Sequence, residues 1–332
     1  MTVLIAGGTG FIGLNLAERL LRDGHTVVLM DRSPPRPAAA AAFDRLPGRW
    51  HFVQTDVTSA VEVRQVFASH PIDRVFYGAA VTSGAQRERE HPEQVMAVNV
   101  LGLAHVLKSA ASTGVSRLIN ISSGSAYGNG GLASFGASGP LDEDRTRPLP
   151  SSLYSVSKFA SEGVCRRYAA LSGMDAFSVR LSTIFGPWEL DSGRRDTLSG
   201  PMQAAQLALR GETAIVPRLD SKDWTYSRDV ADALVALMNV REHRFDLYNI
   251  SAERTCSLLD LMQVLAGHFP GFSARLAEPG EASNIVLHGD EDRLPMSSRR
   301  LRIDIGYSLG SDIEPSVNDY VEWIKAHQDY WI

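Results

Sequence analysis

The run Val3-Leu4-Ile5-Ala6-Gly7-Gly8-Thr9-Gly10-Phe11-Ile12-Gly13 decides the fold. Its four aliphatic residues read as a short buried strand, and the apolar periodicity of residues 11–23 reads as a helix. Between them, glycines at 7, 10 and 13 present no Cβ to obstruct a sharp turn or the close approach of a ligand to the backbone. A helix that starts here offers its first N–H groups and the positive end of its dipole to a phosphate. A glycine triplet alone is weak evidence, but strand, turn and helix in succession supply the context the pattern needs. The reading is a turn that holds a dinucleotide pyrophosphate through Gly7, Gly10, Phe11, Ile12 and Gly13.

The alternation continues outward. Residues 26–30, 51–53, 74–77, 117–121 and 176–180 read as strands, and 59–69, 92–113 and 153–171 as helices. Strand and helix in turn predict an α/β fold, a doubly wound parallel sheet covered on both faces. Beyond residue 181 glycine and proline punctuate the chain. Helices are expected at 202–210, 226–240, 258–269 and 315–327, and a strand at 247–250. This divides the protein into a dinucleotide-binding domain, 1–181 with 224–252, and a smaller, mainly helical substrate lobe, 182–223 with 253–332. Residues 34–37, three prolines around Arg36, and the alanines at 38–42 read as a biased, mobile surface loop.

A chain of 332 residues fits two domains. At 44% hydrophobic and 21% charged it is ordinary for a globular protein, and a net charge of −5 argues against a nucleic-acid binder. Its two cysteines, Cys165 and Cys256, have neither metal-ligand nor disulfide-framework spacing, so no metal site is expected. Neither a run of ~18 apolar residues nor a basic leader is evident. A soluble, cytoplasmic protein without membrane partners is the expectation.

Asp31 closes the second strand 18 residues past Gly13. A carboxylate there accepts from adenosine ribose hydroxyls and repels a 2′-phosphate, favouring NAD over NADP. Arg32 beside it is the one feature that suits NADP. Asp56 and Val57 follow the third strand, where a carboxylate can hold the adenine amino group. Ala79 and Ala80 follow the fourth, where small side chains let a cofactor pass.

Tyr154 and Lys158 lie four apart at the start of a predicted helix and so share a face. With nine tyrosines and four lysines in 332 residues, chance placement gives only ~0.1 such pairs. A free phenol ionises near pH ~10, so a tyrosine base working near neutrality needs a nearby cation that favours the phenolate. Ser122 and Ser123 end the fifth strand, at the carboxyl edge where ligands bind in such sheets. A hydroxyl there can bond the substrate oxygen that Tyr154 deprotonates.

Taken together, these residues resemble the extended short-chain dehydrogenase/reductases of the NAD-dependent epimerase/dehydratase type. The likeness rests on Gly7 to Gly13, Asp31, Asp56 with Val57, Ala79 with Ala80, Asn99, Ser122 to Gly128, Tyr154 with Lys158, Arg180, Gly186 with Pro187, and Asp223 to Asp229. It implies a catalytic triad of Ser123, Tyr154 and Lys158, with Lys158 also on the nicotinamide ribose and Asn99 in support. In that family tyrosine takes a hydroxyl proton while hydride passes to nicotinamide. It also implies a homodimer through the helices at 92–113 and 153–171.

The substrate lobe departs from the family. Gly124 and Ser125 stand where sugar 4,6-dehydratases carry an acid pair. Thr183, Lys222 and His288 stand where nucleotide-sugar epimerases carry Asn, Arg and Arg. Ser123, Ser125, Thr183 and Lys222 are candidate substrate contacts. Arg194 and Arg195 join them as candidates for holding a carboxylate or phosphate. The leading expectation is epimerisation of a nucleotide sugar. Net oxidation of a free sugar or sugar acid is the alternative, and a non-catalytic NAD-binding regulator is a minor one.

Overall fold

The computed structural model of the chain describes residues 1–331 except 192, 194, 195, 290 and 311. Its first half runs β1 (Thr2–Ala6), α1 (Phe11–Arg22), β2 (Thr26–Asp31), α2 (Pro37–Phe43), β3 (Arg49–Gln54), α3 (Ala60–Ser69), β4 (Arg74–Tyr77), α4 (Ala85–Glu90), α5 (Pro92–Met96), α6 (Gly102–Thr113), β5 (Arg117–Ser123), α7 (Leu153–Ser172) and β6 (Ala176–Leu181). The rest comprises β7 (Thr183–Phe185), α8 (Gly200–Arg210), β8 (Thr213–Val216), β9 (Trp224–Tyr226), α9 (Ser227–Asn239), β10 (Leu247–Ile250), α10 (Leu258–Ala266), β11 (Ser273–Leu276), α11 (Arg299–Ile305) and α12 (Glu314–Ala326).

Seven strands form one sheet in the order β10-β6-β5-β4-β1-β2-β3, and every neighbouring pair is parallel. Chain order reverses at β1, so a crevice opens beyond its carboxyl end, where doubly wound sheets bind ligands. Side chains alternate between faces with a period of two. Val3, Ile5, Val27 and Leu29 enter one apolar core. Leu4, Ala6, Val28 and Met30 enter the other. This is why β1 and β2 read as uninterrupted apolar runs.

Three local expectations are corrected. Residues 37–43 form α2 rather than a loop. Pro37 sits in its first turn, where the missing N–H costs nothing, and Ala39 and Phe43 are buried. The helix expected over 92–113 is interrupted by a π-turn at Ala97–Leu101. By length and composition Pro92–Thr113 is the one segment among the described residues apolar enough to cross a membrane, but Val95, Leu103, Val106, Leu107 and Ala110 are buried in the fold. The short strands β7, β8, β9 and β11 were also not foreseen. They form two parallel pairs outside the main sheet.

One ion pair ties the elements beneath the crevice. Glu162 on α7 binds Arg180 on β6 through two bonds of 2.8 Å, and both side chains are almost fully buried. Ser122 on β5 donates to the same carboxylate at 2.7 Å. Removing one partner strands a buried charge, which costs about 3–5 kcal/mol. Glu162→Ala is therefore expected to lower the unfolding free energy by about that amount in a urea titration. A loss below about 1 kcal/mol would contradict the assignment.

Candidate active site

The carboxyl ends of β1, β2, β4, β5 and β6 open into a cleft of about 1160 Å³. At its floor is the turn after β1. Gly7 has φ +77°, and a Cβ there would lie 2.6 Å from the Ala79 backbone nitrogen. A Cβ on Gly13 would lie 2.3 Å from the Gly7 carbonyl oxygen. Only glycine fits at either place. α1 then starts with no side-chain cap and no acidic residue in its first turn, so its N-terminal N–H groups remain available to an anion.

Asp31 is buried and held at the end of β2 by the N–H groups of Thr9 (3.2 Å) and Arg32 (2.7 Å). Arg32 is largely exposed and faces Asp56 at 3.8 Å. Asp56 in turn accepts from the Thr58 N–H and hydroxyl. Val57, Ala79 and Ala80 line the same side. Asn99 stands behind this wall and is absent from the cleft lining. Its side chain holds Val81 at both backbone groups and the Ser157 hydroxyl, which is a supporting role.

The opposite wall comes from β5 and α7. Ser152 and Ser155 form a reciprocal capping box, which fixes the first turn of α7, and Tyr154 lies inside that turn. Its N–H donates to Glu88 at 3.2 Å. One turn on, the Lys158 ammonium is 5.8 Å from the Tyr154 ring centre and donates to the Ile121 carbonyl at 2.9 Å. Burial lowers the Lys158 pKa, opposed by Tyr154 and Glu162. Ser123 accepts from the Ser125 N–H (3.1 Å) and hydroxyl (2.9 Å). A hydroxyl can accept two bonds and donate one, so the Ser123 proton remains to be given to a ligand. Ser122 turns away, to Glu162.

Gly124, Ser125, Thr183 and Lys222 also line the cleft. Lys222 is not a free cation there, because Asp220 holds it at 2.8 Å. Arg194 and Arg195 lie outside the described residues. Among the described residues no cluster of His, Cys, Asp and Glu could hold a metal. Sequence reasoning missed Glu88, Asp220 and the pairing role of Glu162. The last was visible as a third residue, eight past Tyr154, on one face of α7. Arg293 also lines the cleft and carried no sequence signal among 29 arginines.

A nucleotide-binding turn joined to a Tyr/Lys face defines the class of an NAD-linked oxidoreductase fold. Residues 3–251 match the model of the NAD dependent epimerase/dehydratase family. The chain belongs to that family and is an enzyme of the extended short-chain dehydrogenase/reductase type. It is 24% identical to a dTDP-L-rhamnose 4-epimerase of Burkholderia thailandensis, across 98% of this chain and 96% of that one. A Bacillus cereus UDP-glucuronic acid 4-epimerase, solved with UDP-glucuronic acid and NAD, superposes with a TM-score of 0.78 at 21% identity, covering 98% and 99% of the two chains. A Bacillus anthracis dTDP-glucose 4,6-dehydratase, solved with NAD, gives the same TM-score, 0.78, at 17% identity, covering 100% and 98%. The fold therefore does not separate epimerase from dehydratase.

NAD is the cofactor, and the residues present fit it: the glycine turn and open α1 terminus suit the pyrophosphate, and Asp31 suits a ribose diol. Asp31→Ala should cut the preference for NAD over NADP roughly 10- to 150-fold, the value of a hydrogen bond to a charged group. Calorimetric titration of both dinucleotides measures it, and an unchanged ratio would remove Asp31 as the selector.

Proposed function

We propose that the chain epimerises a carbinol carbon of a nucleotide sugar, with Ser123, Tyr154 and Lys158 as catalytic residues. The observation that carries this is the placement of Tyr154 and Lys158, one helical turn apart, on the wall of the cleft that also contains the glycine turn. Bound NAD would take a hydride from the substrate carbon and give it back. Tyr154 takes the hydroxyl proton, the Ser123 proton bonds the same oxygen, and the Lys158 cation stabilises the phenolate. Lys158 and Tyr154 are also expected on the nicotinamide ribose. The ketone so formed turns in the cleft, and Tyr154 returns the proton when the opposite face is reduced.

Dehydration would need an acid/base pair beside this site. A Cβ on Gly124 would lie 2.8 Å from the Met296 sulfur, so Met296 fills the space an acidic side chain would take. In this reading residues 1–181 with 224–252 hold the cofactor, and 182–223 with 253–332 hold the sugar. A homodimer completes it, formed across the face where Leu101, Val156 and Phe159 are exposed.

The deciding experiment releases and counts bound nucleotide after extensive dialysis, then incubates the protein with UDP- and dTDP-hexoses. About one NAD(H) per chain and interconversion of two sugar isomers without net NADH is the expected result. An emptied, exchangeable site with NADH accumulating on a free sugar acid would overturn epimerisation in favour of net oxidation. Tyr154→Phe should retain its NAD and lose roughly 10²- to 10⁴-fold in kcat, the usual span for a general base. Near-full turnover would exclude Tyr154 as the base. Because burial lowers Lys158, its cation is lost at a lower pH than in an exposed lysine, and kcat should decline on the alkaline side accordingly.

A further inference from the structure

Tyr154 is the second residue of α7, and its backbone N–H is one of the first-turn donors that a helix cannot satisfy from within. The capping box uses its two bonds on Ser152 and Ser155. The Tyr154 N–H is met from another element, by Oε1 of Glu88 on α4 at 3.2 Å. The box fixes the shape of the turn. Glu88 fixes where that turn sits relative to the loop after β4.

Tyr154 is tied to that loop at both of its backbone groups. Its carbonyl accepts from the Ser157 hydroxyl at 2.7 Å, and Ser157 accepts from Asn99 at 2.8 Å. Asn99 in turn grips Val81 at both backbone groups. Glu88 follows on the same loop and is steadied by the Ser83 hydroxyl, which donates to the same Oε1 at 3.1 Å. The stretch from Val81 to Glu88 thus holds the Tyr154 backbone at its N–H and at its carbonyl.

The stretch is itself anchored across the cleft, to the segment between β7 and α8. Asp196 accepts from the Gly84 N–H at 2.6 Å and from the Arg87 guanidinium at 2.6 and 2.9 Å. Arg87 also donates to the Gly193 carbonyl at 2.8 Å. Glu88 therefore reaches Tyr154 from a backbone pinned on the opposite side. A tyrosine base needs its phenol oxygen within bonding distance of the proton it takes, and a misplacement of ~1 Å costs about 10²-fold.

We propose that Glu88 is a positioning residue for Tyr154. Its carboxylate, steadied by Ser83 and by the Arg87–Asp196 pair beside it, sets the first turn of α7 so that the phenol meets the reacting hydroxyl. It acts through a backbone bond and not through contact with substrate or NAD. This role rests on Tyr154 being the base in the nucleotide-sugar reading.

The test compares NAD-loaded Glu88→Ala and Glu88→Gln with wild type in two measurements. Hydrogen exchange resolved to single amides reads the contact without any substrate. Glu88→Ala should speed exchange at the Tyr154 amide roughly 10- to 150-fold, the value of a hydrogen bond to a charged group. Steady-state kinetics with UDP- and dTDP-hexoses reads the consequence. Glu88→Ala should lose roughly 10- to 100-fold in kcat, with KM nearly unchanged because no substrate contact is removed. Glu88→Gln keeps an oxygen that accepts the same N–H. It should return both readouts to within about fivefold of wild type, the difference between a neutral and a charged acceptor. Glu88 is half-exposed on a short surface helix, so thermal melting should show all three proteins folded.

Unchanged amide exchange or unchanged kcat in Glu88→Ala overturns the proposal. So does a rise in KM at constant kcat, which would make Glu88 a substrate contact, and so does a Gln variant as slow as the Ala variant. Each of these leaves the nucleotide-sugar reading standing where wild type interconverts the hexoses. Wild type that converts none of them, or Tyr154→Phe that keeps near-full turnover, overturns that reading and the proposal with it.

Discussion

The buried contact among Glu162, Arg180 and Ser122 sets the geometry on which the rest depends. It joins α7, β6 and β5 at the depth of the sheet where solvent cannot compete. A bidentate pair fixes direction as well as distance, so it settles how α7 lies over the strands. Lys158 and Tyr154 are carried one and two turns earlier on that helix, on the same face. Their position relative to Ser123 follows from the angle the ion pair imposes. The arginine is further covered by the Tyr127 ring at 4.3 Å, and Tyr127 bonds Asn249 on β10. One polar network thus runs from the end of β5 to the edge of the sheet.

A second buried acid organises the chain around the ends of β9 and β10. Asp223 opens the segment leading into β9 and accepts from the Ser251 hydroxyl and from the N–H groups of Ala252 and Met296. Those bonds hold the ends of β9 and β10 against the stretch that contains Arg293. The carboxylate thereby secures a long irregular segment that has no ladder of its own. Where regular secondary structure does not supply backbone partners, a buried side chain must.

The cofactor half was legible in the sequence because its determinants are local. Gly7, Gly10 and Gly13 are needed within one turn, Asp31 at the next strand end, and Tyr154 and Lys158 within one helical repeat. The parallel sheet was legible for the same reason, since its strands are apolar on both faces. The misreadings have local causes too. Residues 34–42 carry proline punctuation that resembles a loop, but Pro37 falls at the one helical position that tolerates it. Strands of three or four residues such as β7 and β9 are too short for periodicity to show. Lys222 was read from its place in the family pattern, although the acid that neutralises it is only two residues away. Arg293 carried no sequence signal among 29 arginines, because its place on the cleft wall is a property of the folded surroundings.

The cleft also shows where chemistry within one fold is decided. Relatives with similar superpositions carry names for epimerisation and for dehydration, so the sheet and the glycine turn do not choose between them. The choice lies in a few side chains at the carboxyl edge of β5 and across from it. At Gly124 the chain has no side chain at all, and Met296 from the distant 292–297 segment occupies the space. The thioether is apolar and can neither donate nor take a proton, so the position beside Ser123 is chemically inert. The same segment lines the cleft through Arg293, Leu294 and Met296, so one irregular stretch of chain shapes the wall beside the end of β5.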